Sequence, residues 1–336
     1  LQTLAISGSD LVYHAIIIGG GPAGLSAALV LGRCLRQVVV FDNGQPRNGA
    51  ARSLHGYLGH DGVTPGQLHE RGRKELAAYR IELANDEVIE LRPLAKRAED
   101  SSAFEVVTAS GRIERTRKVL MATGLRDEMP AIPGLAECYG TSVHHCQYCD
   151  GYEYASKRLA VVGSAPTFGV GLAVGLCTWT RLVTVLSNGF DLAAEGRDRL
   201  ALFGIELRTE PISRLEHTDG HLQAVVFADG SRLTADGLFF DAEKHPRCGL
   251  LEGLGCDFEH DAETPAVSSR QRTNVRGLFV AGDADAEVQF AVVAAAEGAK
   301  AAVTINHEIQ EEDEQLLARE RGEQPRQHTL GVSVNH

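Results

Sequence analysis

The chain has 336 residues, 43% hydrophobic and 23% charged, enough for two globular domains of ordinary composition. A formal net charge of −12 speaks against a nucleic-acid-binding surface, and no apolar run approaches the roughly 20 residues that cross a bilayer. Seven cysteines, an odd number with one close pair, exclude an extracellular disulfide framework and suit a reducing, cytoplasmic setting; residues 1–10 carry neither the basic start nor the long apolar stretch of a secretory leader.

Residues 13–19, YHAIIIG, predict a short buried strand. It runs into Gly19-Gly20-Gly21-Pro22-Ala23-Gly24, then a helix over 25–34, then a second strand over 38–41 that ends at Asp42. This is a βαβ unit with G-x-G-x-x-G at its first turn. Gly19 permits the tight turn, Gly21 the approach of a pyrophosphate, and Gly24 close packing of helix on strand. The helix start offers free N–H groups to phosphate, and Asp42 stands near the position of a ribose-binding acid. Residues 44–66 read as a polar loop holding Arg47, Asn48 and His55, and 68–83 as a helix. Strands are predicted over 104–107 and 113–120, the latter leading into the small-residue turn Ala122-Thr123-Gly124. Pro130 and Pro133 mark a crossing between domains.

Next comes His144-His145-Cys146-Gln147-Tyr148-Cys149-Asp150-Gly151. Thiols at this spacing close a small reversible disulfide, and a helix start or a cation lowers the pKa of such a thiolate. The histidines make zinc the competing reading. A structural zinc site takes four ligands in two separated pairs, and no second pair follows. The histidines read as polar residues at the helix entrance, one of which could stabilise a Cys146 thiolate. A second βαβ-like unit begins at 158–163, RLAVVG, with an apolar helix to about Trp179 and a strand over 182–186. Strands over 205–208, 222–228 and 238–240 follow, with turns at Asp219-Gly220 and Asp229-Gly230. His245-Pro246 marks the return crossing. A strand over 277–280 enters Ala281-Gly282-Asp283, and an Ala-rich helix covers 292–306. Residues 311–323 are charge-dense and read as a solvated helix extension before a polar tail with His328 and His336.

In this order the pieces resemble thioredoxin reductases of the small bacterial type, over residues 12–308: Gly19, Gly21 and Gly24, Ala122-Thr123-Gly124, Cys146 and Cys149 with Asp150, and Gly282-Asp283 before an Ala-rich helix. The resemblance implies an α/β fold of two doubly wound, Rossmann-like three-layer nucleotide-binding domains, the second inserted in the first. The FAD-binding domain would take residues 12–128 and 246–310, the inserted NAD(P)-like domain 129–245 with the cysteine pair, and a C-terminal extension 311–336. It implies a flavin disulfide oxidoreductase and a homodimer. Gly19, Gly21, Pro22, Ala23, Gly24, Asp42, Arg47, Asn48, His55, Thr123, Gly124, Gly282, Asp283 and Gln289 would hold FAD. Cys146 would exchange with a substrate sulfur, Cys149 would face the flavin and Asp150 would shuttle a proton. The partner would be a protein or small-molecule dithiol or disulfide, with thioredoxin or ferredoxin as candidates; no metal is expected.

The second glycine motif departs from the family pattern. It reads Gly163-Ser164-Ala165-Pro166-Thr167-Phe168: Ala165 replaces the glycine that admits phosphate, and Phe168 would hold the helix off the sheet unless the register shifts to Gly169. After the next strand comes Ser187-Asn188-Gly189, where NADPH-using members carry arginines for the 2′-phosphate. The chain therefore resembles the pyridine-nucleotide-independent fringe of the family: ferredoxin-linked reductases, dithiol oxidases and diflavin-linked disulfide oxidoreductases. NADPH is not expected, and in the diflavin type a second FAD fills the vacated site. The alternatives are an NADPH-dependent thioredoxin reductase and, from another class, a redox-sensing flavoprotein whose cysteine pair does not turn over.

Overall fold

The computed structural model describes residues 12–94, 103–163, 169–259, 263–285 and 288–322. The first strand, β1 (Val12–Ile18), passes through the glycine turn into α1 (Pro22–Arg33) and returns in β2 (Val38–Phe41). Then come α2 (Pro65–Leu76), β3 (Ile81–Ala84), β4 (Val88–Pro93), β5 (Phe104–Thr108) and β6 (Ile113–Met121). The sheet order is β3-β2-β1-β6-β5-β4. β1, β2 and β3 are parallel, and β1 is parallel to β6. β2 is buried at every position, which is why it reads as an unbroken apolar run.

The chain leaves this sheet on β7 (Leu125–Glu128) and passes α3 (Leu135–Cys138), β8 (Val143–His144) and α4 (Gln147–Asp150). It continues through β9 (Leu159–Gly163), α5 (Val170–Leu176), β10 (Val183–Leu186), α6 (Ala194–Phe203) and β11 (Glu206–Arg208). An antiparallel meander, β12 (Ile212–Thr218), β13 (His221–Phe227) and β14 (Arg232–Thr234), precedes β15 (Gly237–Asp241). The second sheet, β11-β10-β9-β15-β8, is parallel throughout. The meander covers one face through Leu215, Leu222, Val225 and Phe227; α5 and α6 cover the other. The chain returns on β16 (Glu243–Pro246), antiparallel to β7, so exit and re-entry run side by side. β17 (Leu278–Val280) joins the end of β6, and α7 (Ala291–Glu320) packs across α1. These are the two Rossmann-like sheets expected.

Several local expectations need correction. The helix expected over 68–83 stops at Leu76, and Ile81–Ala84 is a strand, because backbone pairing with β2 overrides its helix-compatible composition. β4, β8, β12, β14 and the crossing pair β7–β16 lie outside the strands expected from the sequence. α5 ends at Leu176. Its entry is at Gly169, whose φ is +68°; a Cβ there would lie 2.8 Å from Val161 Cγ1. Close packing of helix on strand is therefore kept through Gly169. Ser164, Ala165, Pro166, Thr167 and Phe168 lie outside the described residues, as do His328 and His336.

The helix extension past residue 310 exists, but it is not simply solvated. Lys118 is 1% exposed and donates to Glu308 (2.7 Å) and Glu312 (2.9 Å). Arg117 donates to Asp313 (2.5 Å) and Glu312 (3.1 Å). The acidic end of α7 neutralises two buried cations of β6.

Candidate active site

The glycine turn forms because β1 ends against β6. Gly19 has φ +110°, and a Cβ there would lie 2.2 Å from the Ala122 carbonyl oxygen, so no other residue fits. At Gly24 a Cβ would lie 1.9 Å from the Gly19 carbonyl oxygen. Gly21, just before α1, differs: nothing lies within 4 Å of its would-be Cβ. The space that Cβ would fill belongs to a cavity of about 820 Å³.

This cavity runs from the glycine turn to the cysteine pair. Gly19, Gly21, Pro22, Ala23, Asp42, Arg47, Asn48, His55, Thr123, Gly124, Gly282, Asp283 and Gln289 line it, as do Cys146, Cys149 and Asp150. Gly24 stands behind the wall as a packing residue. Gly282, at φ +80°, donates its N–H to the buried Glu297 carboxylate at 2.7 Å, which ties the turn after β17 to α7. Two wall atoms are buried without a hydrogen-bond partner among the described residues: Thr123 Oγ1 and His69 Nε2. Such atoms carry a desolvation cost unless a ligand satisfies them. An open backbone at a helix start, orphaned polar atoms and a ribose-type acid fit a dinucleotide. Asp42 is held by Arg73 (2.5 Å) and accepts from the Gly44 N–H (3.3 Å).

At the far end, Cys146 and Cys149 form a disulfide with Cα atoms 5.3 Å apart. Cys146 precedes α4, and its sulfur accepts from the Cys149 N–H at 3.2 Å, a bond that would stabilise a Cys146 thiolate once the pair opens. Its neighbours diverge. His145 Nδ1 lies 3.0 Å from the Tyr139 hydroxyl, and Nε2 3.5 Å from Arg47 Nη2. Burial lowers the His145 pKa, against the opposing pull of Asp127. His144 turns the other way, to Asp150 (3.1 Å) and the Tyr154 hydroxyl (3.1 Å). Burial pushes the hydroxyls of Tyr139 and Tyr154 up to about 12, so both stay protonated.

Arg47, which lines the cavity, also binds two carboxylates. Its Nε and Nη2 grip Asp127 at 2.7 and 2.6 Å, and Nη1 reaches Asp283 at 2.8 Å. Burial would lower the pKa of this guanidinium, but the two carboxylates outweigh it and raise it. His55 faces Asp61 (3.4 Å) and Glu153 (3.7 Å). Sequence reasoning missed His69, Asp127, Tyr139 and Tyr154. None stands in a motif, and each is brought in by a different element.

The family described as pyridine nucleotide-disulphide oxidoreductase matches residues 13–298. The chain belongs to that family. It is a flavin disulfide oxidoreductase of the thioredoxin-reductase-like kind. It is 34% identical over 282 residues to thioredoxin reductase tcpT of Claviceps purpurea, covering 81% of this chain and 86% of the relative. It is 26% identical over 320 residues to the thioredoxin reductase of Bacillus subtilis, covering 91% and 98%. Among solved structures it resembles HlmI, with TM-score 0.89, 33% identity and coverage of 96% and 99%. A putative thioredoxin reductase, TrxB, from Bacillus anthracis follows with TM-score 0.83, 30% identity and coverage of 90% and 99%. Proteins of this thioredoxin-reductase-like kind bind FAD. No helix among the described residues is long and apolar enough to cross a membrane.

Proposed function

We propose that this enzyme moves two electrons between FAD and the Cys146–Cys149 disulfide, exchanges that pair with a substrate dithiol or disulfide, and does so without NADPH. The observation that carries the reading is the single cavity with the dinucleotide cradle at one end and the disulfide at the other. In this reading residues 12–128 and 246–310 form the FAD-holding unit, and 129–245 the inserted unit. Gly19, Gly21, Asp42, Thr123, Gly282 and Asp283 would hold FAD, which supplies two-electron acceptor and donor chemistry.

The sulfur exchange follows from the pair. A substrate thiolate attacks Sγ of Cys146; the substrate–Cys146 bond forms, the Cys146–Cys149 bond breaks, and Cys149 leaves as a thiolate. The second substrate thiolate attacks the first substrate sulfur. The substrate disulfide forms, and Cys146 leaves with the electron pair. The pair then holds two electrons. The Cys149 N–H favours the Cys146 thiolate, and Asp150 takes or returns the proton of Cys149. Run backwards, the same steps reduce a disulfide.

NADPH independence is supported by the turn after β10. Ser187 Oγ donates to the Phe190 carbonyl (2.7 Å), and Asn188 Oδ1 accepts from the Ile212 N–H (2.6 Å). The next basic residue, Arg197, is held by Asp191 and by the Leu192 carbonyl (2.8 Å). No basic side chain is thus offered to a 2′-phosphate between 187 and 196. The second reading is an NADPH-dependent thioredoxin reductase, and the relatives' names, thioredoxin reductase, support the reductase part of it at least as strongly. A cytoplasmic homodimer, a second FAD in the inserted unit, and thioredoxin or ferredoxin as protein partner belong to the proposal.

Anaerobic mixing of flavin-loaded protein with NADPH and, separately, with a small dithiol decides between them. Bleaching of the flavin band by dithiol but not by NADPH supports the reading. Bleaching by NADPH within seconds, with turnover of thioredoxin, replaces it by the second.

A further inference from the structure

We infer that His144 is the positioning residue for Asp150, holding with it one exchangeable proton for the cysteine pair; this rests on the reading of Asp150 as the proton shuttle. His144 ends β8, where pairing with Phe239 fixes its backbone. Its ring packs against Phe239 (5.4 Å) and the edge of Tyr154 (5.3 Å), and the residue is 7% exposed. Both ring nitrogens are engaged: Nδ1 with Asp150 Oδ1 at 3.1 Å, Nε2 with the Tyr154 hydroxyl at 3.1 Å.

The hydrogens can be counted. Tyr154 has one hydroxyl hydrogen and two acceptors in reach, the Thr141 carbonyl (3.2 Å) and His144 Nε2 (3.1 Å). On either choice Nδ1 faces a carboxylate oxygen, and two lone pairs meet at that distance only with a proton between them. One proton is therefore shared by Nδ1 and Oδ1, and it sets positive charge against the Asp150 carboxylate beside the thiols. In the step assigned to Asp150, the S–H bond of Cys149 breaks with its electron pair left on sulfur. The proton moves to the Asp150 carboxylate, while Nδ1 keeps the one it shares with Oδ1. Other charged or titratable groups also act on this chain: His145 and Tyr139 interact with Asp150, Glu153, Arg52 and Asp236 act on Tyr154, and Lys157 lies over the Tyr154 ring at 5.0 Å.

The test is the pH profile of iodoacetamide alkylation at Cys149, read by peptide mass spectrometry. The full-length, flavin-loaded protein is used in a Cys146→Ser background, so no disulfide forms. His144→Gln should leave the Asp150 charge uncompensated. The midpoint then rises by about one pH unit, and alkylation near neutrality slows about tenfold. Tyr154→Phe, which keeps the ring but frees Nε2, should move the profile the same way by less, and carries the test should His144→Gln fail to fold. Asp150→Asn should move it the opposite way. If His144→Gln and Tyr154→Phe superimpose on the parent while Asp150→Asn still moves, the role of His144 is overturned and that of Asp150 stands. If Asp150→Asn leaves the profile unmoved, the shuttle reading falls and this inference with it.

Discussion

Arg47 and Asp127 share two parallel hydrogen bonds of 2.7 and 2.6 Å, joining the loop after β2 to the first strand that leaves the first sheet. Asp127 is 5% exposed. Burial pushes its carboxyl up, but the Arg47 hydrogen bonds and the charges of His145, Arg47 and Lys244 hold it below the ordinary 3.8. A depressed carboxyl contributes its stability in full above that value and loses it as pH falls through the folded-state pKa. Arg47→Ala leaves the carboxylate buried and alone. It should cost about 3 kcal/mol in urea unfolding at neutral pH and start acid unfolding at a higher pH than in the parent.

Each cysteine should be indispensable in a different way. Cys146→Ser and Cys149→Ser should each reduce dithiol turnover by at least about a thousandfold. Only Cys149→Ser retains the sulfur assigned to exchange, so a small disulfide probe should leave a mixed disulfide on Cys146, visible as added mass. The same adduct on Cys149 of the Cys146→Ser protein, with none in the other variant, would reverse the assignment.

The two glycines of the cradle should separate folding from cofactor retention. Gly19→Ala places a Cβ 2.2 Å from a backbone oxygen at φ +110° and should yield little folded protein. Gly21→Val meets nothing within 4 Å of its Cβ position and should fold with an unchanged melting point once flavin is stripped, while binding flavin at least about tenfold more weakly. Flavin-to-protein absorbance ratios and thermal melts of both variants check this.

Lys118 should be the most sensitive buried charge of the described residues. Removing both of its acceptors, Glu308→Gln with Glu312→Gln, strands an ammonium that is 1% exposed and should cost about 3–5 kcal/mol by urea titration. Burial raises the Glu308 carboxyl, but hydrogen bonds from Arg272 and Lys118 outweigh it and hold it below the ordinary 4.5. In the parent this contribution is complete above 4.5 and fades as acid protonates Glu308. The double variant should therefore show a shallower loss of stability below that pH.

What the sequence made legible was local. The first βαβ turn could be read because Gly19, Gly21 and Gly24 answer backbone constraints only a few residues away, and the cysteine pair because its chemistry needs only its own spacing. What stayed unread depended on distant partners. Ile81–Ala84 is a strand only because Val38–Phe41 lies beside it. Arg47 reads as a loop cation until Asp127 and Asp283 are brought to it by other parts of the fold. The acidic run after residue 310 reads as solvated because Arg117 and Lys118, which it neutralises, sit nearly 200 positions earlier. His144 and His145, adjacent in sequence, serve opposite sides of the disulfide, a division that no spacing rule reveals.

α7 is one uninterrupted rod of 30 residues, about 45 Å at 1.5 Å per residue. Its first turns line the cavity at the glycine turn, and its acidic half clasps the cations of β6. Acid that loosens the clasp therefore acts on the same rigid body that closes the cradle. Free-flavin fluorescence should rise in step with helix loss on acidification, giving the protein a native optical gauge of its own undoing.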